Sequence, residues 1–195
     1  PKTPPSIFTT SREIYCGKLA ALKDNTVIIE NALGKTAIPL NRIVRFHLSP
    51  GKTADLEEKS IKNINQTPYF DSVRKISFNK SFTGSDIQLR GLALSHFVEL
   101  HTKTEMTVAL PKGAVSFYAE GFIDPSAVNG DMELKVLLKG KEVYKARIRS
   151  GTDSSKIKIN VKGHSEMTIV ADFGLNGSSG DYLILARPQF LLEKR

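Results

Sequence analysis

The chain has 195 residues, of which 40% are hydrophobic and 25% charged, a balance that excludes an intrinsically disordered protein. No apolar run approaches the ~18 residues of a membrane-spanning helix, and the single cysteine, Cys16, excludes an internal disulfide. The net charge of +8 suggests a polyanion partner, but the lysines and arginines are dispersed among acids. We therefore expect a folded protein without a membrane span, for which nucleic acid is a less suitable partner than its charge suggests.

Residues 6–49 are predicted to form five short strands separated by turn-forming residues. Valine and isoleucine dominate the stretches between the turns, as is typical of strands. Short strands at such close spacing favour a small closed sheet, because a barrel leaves no exposed edge. The five predicted strands are SIFTT, EIYCGKLAAL, NTVIIEN, KTAIPL and RIVRFHLS.

The segment 50–68 is polar and begins with a Pro-Gly turn signal. Its apolar residues Leu56, Ile61 and Ile64 give only a faint helical pattern. We interpret it as a linker containing at most one or two helical turns.

Residues 69–195 are predicted to form a β-sandwich of the jelly-roll type. Apolar residues alternate with polar ones in 105–110, 115–121 and 132–138, and side chains on a strand point to opposite faces with period two. The sequence PKG at 111–113 is typical of the tight turn of a hairpin. Roughly eight strands without a long helix favour two packed sheets.

The residues from about Phe70 to Leu192 resemble the NPCBM domains, which are related to carbohydrate-binding module family 51. The resemblance rests on RGL at 90–92, on His101, Thr102 and Glu105, on Phe117 to Asp124, and on the closing pattern of Asp172, Gly174, Asp181 and Ala186. It implies a galactose-binding-like β-sandwich that engages a glycan through rim loops and is exported to the periplasm or the exterior. The chain begins with Pro1, and we expect any signal peptide to have been removed. Residues 13–46 are similar to Sm-like small barrels.

Two departures from the family pattern bear on function. The stretch SHFVEL at 95–100 has the character of an insertion at a position where a binding loop can be remodelled. The chain also has no tryptophan, and either Leu183 or Leu185 stands where sugar-binding relatives often carry an aromatic residue. Sugar sites usually include an aromatic platform, so both departures favour an alternative role in protein interaction.

Four residues are candidates for glycan binding: His101, Glu105, Tyr118 and Asp124. The first, second and fourth are the polar residues of the opening motif, and they would hydrogen-bond sugar hydroxyls. Tyr118 is predicted on the wet face of its strand and is the best candidate platform among the aromatic residues. As an alternative, His101 and Asp124 bond backbone groups at strand ends, Glu105 is solvated and Tyr118 packs across strands.

Asp172 and Asp181 are candidate calcium ligands, because they flank the flexible loop FGLNGSSG and oxygen ligands on loops suit calcium. The resemblance supports this, since galactose-binding-like sandwiches frequently carry a structural calcium. The alternative is a turn loop without an ion. The four scattered histidines and one cysteine give no spacing typical of zinc.

The sequence predicts a binding module rather than an enzyme. It contains no GxSxG motif, and no serine or cysteine has a recognisable base partner. The leading hypothesis is a non-catalytic module that binds a glycan or polysaccharide. The alternatives are a protein-interaction or assembly module and, third, a polyanion-binding protein whose affinity falls steeply with salt.

Overall fold

The computed structural model describes residues 6–10, 13–47, 53–69, 74–152 and 154–193. The chain divides into two compact units, Pro1–Thr53 and Ala54–Arg195. Within the described ranges every regular element is a strand or a single 3-10 turn, which confirms the all-β prediction. None of the helices in these ranges has the length and apolar character that crossing a membrane requires.

The first unit contains the five strands predicted for it. In chain order they are β1 (Ser6–Thr10), β2 (Ile14–Lys23), β3 (Thr26–Asn31), β4 (Gly34–Pro39) and β5 (Ile43–His47). They form one antiparallel sheet in the order β4-β3-β2-β1-β5, with a 3-10 turn at Leu40–Arg42 between β4 and β5. Its core consists of Phe8, Val27, Ile29 and Ile38. Closure into an Sm-like barrel stays a prediction.

Gly17 on β2 lies close to Ile29 and Glu30 on β3. A Cβ atom at this position would lie 2.4 Å from Ile29 Cγ2 and 2.7 Å from the Glu30 carbonyl oxygen. We expect Gly17→Ala to destabilise the first unit by about 1–2 kcal/mol, because a backbone atom cannot move aside as a side chain can. The measurement is amide hydrogen exchange of β2 and β3. Lys18→Ala, at an exposed neighbouring position, should exchange its β2 and β3 amides at the wild-type rate. If these amides exchange as slowly in Gly17→Ala as in Lys18→Ala, the prediction is contradicted.

The second unit begins at the second residue of β6 and contains all later strands. They are β6 (Thr53–Asp55), β7 (Ile61–Gln66), β8 (Ser77–Phe78), β9 (Gln88–Leu89), β10 (Leu92–Ala93), β11 (Phe97–His101), β12 (Thr104–Ala109), β13 (Ala114–Ile123), β14 (Asp131–Leu138), β15 (Lys141–Arg149), β16 (Ser155–Asn160), β17 (Glu166–Phe173) and β18 (Tyr182–Leu192).

Two antiparallel sheets pack face to face in this unit. The front sheet has the order β16-β13-β18-β11-β8, with β6 also paired to β18, and the back sheet has the order β15-β14-β17-β12-β7. Alternating residues of both sheets fill the space between them, which confirms the predicted β-sandwich. The fully buried members of this core include Met106, Phe117, Met132, Leu134, Ile169, Leu183 and Leu185.

The segment predicted as a linker contributes to both sheets, so the linker interpretation of 50–68 is wrong for its described part, 53–68. Residues Ile61–Gln66 form the edge strand β7 beside β12, and Leu56 is completely buried in the sandwich core. An edge strand has one unpaired side and exposed side chains, so its composition is polar. That polarity resembles a linker in the sequence.

Most of the stretch 95–100 is strand, so the expectation of a remodelled binding loop there is wrong. Phe97–His101 forms β11 in the interior of the front sheet, between β18 and β8. Val98 and Leu100 point into the sandwich core. Both faces of β11 are covered, so its apolar run lacks the alternation of a half-buried strand.

The outer face of the front sheet is partly covered by the chain between β8 and β11. Ile87, Leu89 and Leu94 from this covering segment, residues 79–96, form a second apolar cluster. Their partners on the sheet are Phe97, Phe122, Ile184 and Ala186. The covering segment therefore buries side chains that would otherwise face solvent.

Candidate functional site

His101, Tyr182 and Asp124 lie side by side in the end row of the front sheet. His101 pairs with Tyr182 across β11 and β18, and the Asp124 amide donates to the Tyr182 carbonyl oxygen at 2.8 Å. Their neighbours Leu100 and Leu183 point into the sandwich core. Successive side chains alternate between faces, so the end row lies on the outer face of the sheet.

Three rings and one guanidinium group meet at this end row. The Tyr182 ring lies 5.4 Å from the His101 ring and 6.0 Å from the Phe82 ring, the latter at an edge-on angle of 67°. The Arg74 guanidinium lies over the Tyr182 ring, 5.1 Å from its centroid. The rings are half-buried and Arg74 is exposed. We call Arg74, Phe82, His101 and Tyr182 the aromatic rim.

The imidazole of His101 is held in a defined tautomer. Its Nδ1 lies 2.8 Å from the Thr102 carbonyl oxygen, which can only accept, so Nδ1 carries the proton. Burial lowers the pKa of His101 and the charge of Arg74 lowers it further, against the hydrogen bond to Thr102, which acts to raise it. The ring is therefore neutral at pH 7, and Nε2 can accept a hydrogen bond.

Two buried carboxyl groups lie beside the aromatic rim. Asp124 accepts hydrogen bonds from the Ser126 amide and hydroxyl at 2.8 and 2.7 Å, and from the Ser81 hydroxyl at 3.2 Å. Glu99 Oε2 accepts from the Phe82 amide at 2.6 Å, and the Glu99 carboxyl lies within side-chain hydrogen-bonding reach of Asp124. Burial raises the pKa of Glu99 to about 7, the Phe82 amide opposes this and the nearby Asp124 adds to it.

The structure brings together two of the four predicted glycan-binding residues. His101 and Asp124 share the end row, and each also bonds backbone groups as the alternative interpretation expects. Glu105 belongs to the back sheet and lies 3.8 Å from Lys103 Nζ. Tyr118 lies six residues before Asp124 on β13, a separation of about 20 Å along a strand.

The surroundings of Tyr118 differ from those of Tyr182 in the aromatic rim. Lys158 Nζ lies 5.8 Å from its ring centroid, and its neighbours across the sheet are Lys158 and Gln189. The ring is half-exposed, as predicted, but no second ring lies beside it among the described residues.

The sequence analysis missed Arg74, Phe82 and Glu99, and it did not single out Tyr182 from the other aromatic residues. Arg74 and Phe82 reach the end row from a segment without strand periodicity. Glu99 lies in the stretch 95–100, which was expected to be a loop, so its burial was not predicted. Its position inside a short apolar run was the available signal, because a charged residue between buried neighbours on a covered strand marks a buried polar site.

Asp172 and Asp181 belong to two separate polar networks. Asp172 accepts a hydrogen bond from Lys135 at 2.8 Å and lies 3.8 Å from Lys103 Nζ. Burial acts to raise the pKa of Asp172, but the Lys135 hydrogen bond and the Lys103 charge lower it overall. This carboxylate is part of the charged outer face of the back sheet.

Asp181 is completely buried and joins two loops. Its carboxyl accepts from the Thr102 hydroxyl at 2.9 Å and from the Asp131 amide at 3.0 Å. Burial raises the pKa of Asp181 to about 6, the two hydrogen bonds oppose the shift and the charge of Asp131 adds to it. The role of this residue in the structure is to satisfy buried donors.

The loop between Asp172 and Asp181 is packed against its neighbour. A Cβ atom on Gly174 would lie 2.0 Å from the Asp131 carbonyl oxygen, and one on Gly180 would lie 2.3 Å from the Val128 carbonyl oxygen. Across the described ranges, no three or more His, Cys, Asp and Glu side chains group to hold a metal ion. Calcium at Asp172 and Asp181 stays a prediction that this geometry does not support.

A family model described as NPCBM/NEW2 domain matches residues 55–191. The chain belongs to the NPCBM family. The match begins at the last residue of β6 and ends in β18, so it starts well before the resemblance, which began at about residue 70, and it includes β7. No curated protein matches the chain.

Solved carbohydrate-binding modules of family 51 share the fold. The module of a GH95 enzyme from Clostridium perfringens, in complex with methyl-galactose, is 16% identical, with a TM-score of 0.62 over 71% of this chain and 99% of that one. A CBM51-2 and INT structure from Clostridium perfringens ZmpB, in complex with GlcNAc, is 17% identical, with a TM-score of 0.62 over 95% of this chain and 40% of that one.

The tandem CBM51 modules of Sp3GH98, a family 98 glycoside hydrolase from Streptococcus pneumoniae, are 14% identical, with a TM-score of 0.62 over 73% of this chain and 47% of that one. The TM-scores establish that the sandwich has the galactose-binding-like fold of these modules. The family and the fold matches are to carbohydrate-binding modules, which are non-catalytic, in agreement with the prediction that the chain is not an enzyme.

Proposed function

We propose that this NPCBM module binds a glycan at the aromatic rim. The observation that carries the proposal is the convergence of three half-buried rings and an exposed arginine at one strand end. The apolar face of a pyranose packs on an aromatic ring while its hydroxyls take polar partners. Here Tyr182 and Phe82 supply ring surface, Arg74 supplies donors, and His101 Nε2 supplies an acceptor.

The size of the aromatic rim favours recognition of a single sugar unit. Its rings and guanidinium lie within 5.1–6.0 Å of the Tyr182 centroid, a span comparable to one pyranose ring. A site of this size binds one sugar unit of a glycan, either the terminal unit or a single exposed one. The structural relatives bound to methyl-galactose and GlcNAc make neutral hexoses and N-acetylhexosamines the first classes to test.

The mechanism of such a module is attachment. A preformed rim loses little conformational entropy on binding, because strand pairing already holds His101 and Tyr182 in place. Binding would keep the rest of a larger protein close to its polymer. We also propose that the protein is exported, because glycan polymers are found outside the cell. Fractionation of the cells that produce it, followed by detection of the protein in each fraction, tests this.

The test of the proposal is a glycan array followed by calorimetry with the glycans that bind. We expect dissociation constants between about 10 µM and 1 mM, since few side chains form the site. Absence of any heat at millimolar sugar would contradict the proposal. A parallel titration with nucleic acid at two salt concentrations tests polyanion binding, whose affinity would fall steeply with salt.

A second function, protein interaction or assembly, is favoured by apolar side chains exposed on the first unit. Ile14 and Leu22 on β2 are 69% and 62% exposed, and Leu33 in the following turn is 97% exposed. We propose self-association through this unit as the alternative role. Light scattering that gives a strict monomer at high protein concentration would contradict it.

A further inference from the structure

Glu99 and Asp124 form a buried acid pair between the front sheet and the covering segment. Glu99 is 0% exposed and Asp124 is 1% exposed. Glu99 belongs to β11, in the interior of the front sheet, and Asp124 directly follows the last residue of β13. Their carboxyl groups lie within side-chain hydrogen-bonding reach of each other. Two acids from separate strands therefore meet away from solvent.

A hydrogen bond between these two acids requires a proton. An ionised carboxylate can only accept a hydrogen bond, and two buried like charges repel each other. Asp124 already accepts three hydrogen bonds, two from Ser126 and one from Ser81, whereas Glu99 accepts one from the Phe82 amide. Donors stabilise the ionised form, so the charge resides on Asp124 and the proton on Glu99.

The covering segment is bonded to both members of the acid pair. The Ser81 hydroxyl donates to Asp124 at 3.2 Å, and the Phe82 amide donates to Glu99 at 2.6 Å. The Phe82 ring in turn lies against Tyr182 in the aromatic rim. A change in the charge of the acid pair therefore acts on two adjacent residues of the segment, one of which belongs to the rim.

We propose that Glu99 and Asp124 share one proton, and that this proton holds the covering segment against the front sheet. Without the proton, two buried carboxylates repel each other, and opening of the segment relieves the repulsion by admitting water. The opening also withdraws Phe82 from the aromatic rim. This effect on sugar affinity rests on the proposed glycan site, whereas the shared proton and the opening do not.

The pH range of the opening follows from the folded and solvated states of Glu99. Burial raises the pKa of Glu99 to about 7, and the charge of Asp124 and its hydrogen bond add to the shift. A solvated glutamate has a pKa of about 4.3, so the closed segment binds the proton more tightly than the open one. The stability that the proton gives to the closed segment is therefore complete below about pH 4 and is lost as the pH rises through 7.

The groups around the acid pair come from several parts of the chain. Strands β8 and β18 place the uncharged Ser77 and Ile184 opposite Glu99, and the covering segment contributes the neutral hydroxyl and amide donors described above. Arg74, whose charge also acts on Glu99, is exposed to solvent. The acid pair with one proton carries a single negative charge, which Arg74 compensates in part from the surface.

The test measures amide hydrogen exchange of the whole chain at pH 6 and pH 9, expressed as protection relative to an unfolded chain at the same pH. The reporters are the Phe82 amide and the Leu94 amide, which donates to the Ile87 carbonyl oxygen within the covering segment. We expect their protection to fall about tenfold from pH 6 to pH 9, as a shift in pKa from about 4.3 to 7 requires. The carboxyl carbon signal of Glu99 should titrate near pH 7 in the same samples.

Two variants replace the shared proton with a permanent donor. Glu99→Gln offers an amide to Asp124 and keeps an oxygen for the Phe82 amide, and Asp124→Asn offers an amide to Glu99. We expect protection of the covering segment to change less than twofold between pH 6 and pH 9 in both variants. Asp86→Asn, which removes an exposed carboxylate from the same segment, should keep the tenfold change of the wild type.

Other titrating groups are common to the wild type and both donor variants. The pKa values of His101 and Asp181 also lie below 7, and neither residue is replaced. The comparison therefore isolates the acid pair. A tenfold fall that persists in both Glu99→Gln and Asp124→Asn, or a Glu99 signal that titrates near pH 4, would overturn the proposal.

Glycan affinity provides a separate measurement. Because affinity falls with the fraction of molecules in the competent state, a glycan that binds at the aromatic rim should bind the wild type more weakly at pH 9 than at pH 6. Glu99→Gln should bind it equally at both, and equal affinities of the wild type would contradict the effect on the rim. A chain that binds no glycan at either pH would contradict the proposed function, while the exchange measurement would still decide the shared proton.

Discussion

Replacing Tyr182 with alanine is expected to weaken glycan binding at least tenfold, which corresponds to about 1.4 kcal/mol. The Tyr182 ring contacts every other member of the aromatic rim, so its removal takes away both the platform and the support of Arg74. Tyr182→Phe keeps the ring and should retain affinity within a few-fold. Calorimetry with a glycan identified on the array measures the dissociation constants of the wild type, Tyr182→Ala and Tyr182→Phe.

Tyr118→Ala is the matched control for this prediction. Tyr118 is a half-exposed tyrosine on the outer face of the same sheet, with Lys158 over its ring in place of Arg74. We expect its replacement to change the affinity less than twofold. If Tyr118→Ala removes binding while Tyr182→Ala retains it, the site lies at the middle of the sheet face and the aromatic rim is not the site.

Replacing Asp181 with alanine is expected to destabilise the sandwich by about 2–4 kcal/mol at pH 4.5. The change leaves two buried donors, the Asp131 amide and the Thr102 hydroxyl, without an acceptor, and each costs about 1–3 kcal/mol. Asp181→Asn keeps an oxygen for the Asp131 amide, so it should remain within about 1 kcal/mol of the wild type at this pH. Urea unfolding measures the three free energies.

The pH dependence of the same variants gives a second measurement. The pKa of Asp181 is about 6 in the folded protein, above the value of about 3.9 in an unfolded chain, so the folded state binds the proton more tightly. The stability due to this group is therefore complete below about pH 4 and is lost as the pH rises through 6.

The asparagine variant has no such titration. At pH 8 we expect Asp181→Asn to be more stable than the wild type by on the order of 2 kcal/mol, and at pH 4 we expect no difference. A constant difference between the two proteins from pH 4 to pH 8 would contradict this account of Asp181.

The sandwich strands with one buried and one wet face were predictable from their sequence. In β12 and β14 every second residue is buried, so period-two alternation identifies them. Strand β7 was missed because an edge strand is polar, and β11 was missed because both of its faces are covered. Period-two alternation indicates that one face of a strand is buried and the other exposed, and neither β7 nor β11 has that difference in burial.

The candidate site was predictable only where its residues belong to the family motif. His101 and Asp124 were found through that motif, whereas Glu99 and Tyr182 lie in strands and were not singled out. Arg74 and Phe82 reach Tyr182 from residues about 100 positions earlier in the chain, and the segment that carries them has no period. The burial of Glu99 likewise depends on that segment, and the expectation of a loop at 95–100 gave no reason to predict a buried carboxyl group there.

Chemical-shift mapping by NMR, with the glycan that binds most tightly on the array, tests the central claim most directly. We predict that saturation shifts the amide and ring signals of His101, Tyr182 and Phe82, together with the guanidinium of Arg74, and leaves Tyr118 and Lys158 unchanged. Shifts confined to the strand face around Tyr118, or to the loop at 174–180, would contradict glycan binding at the aromatic rim.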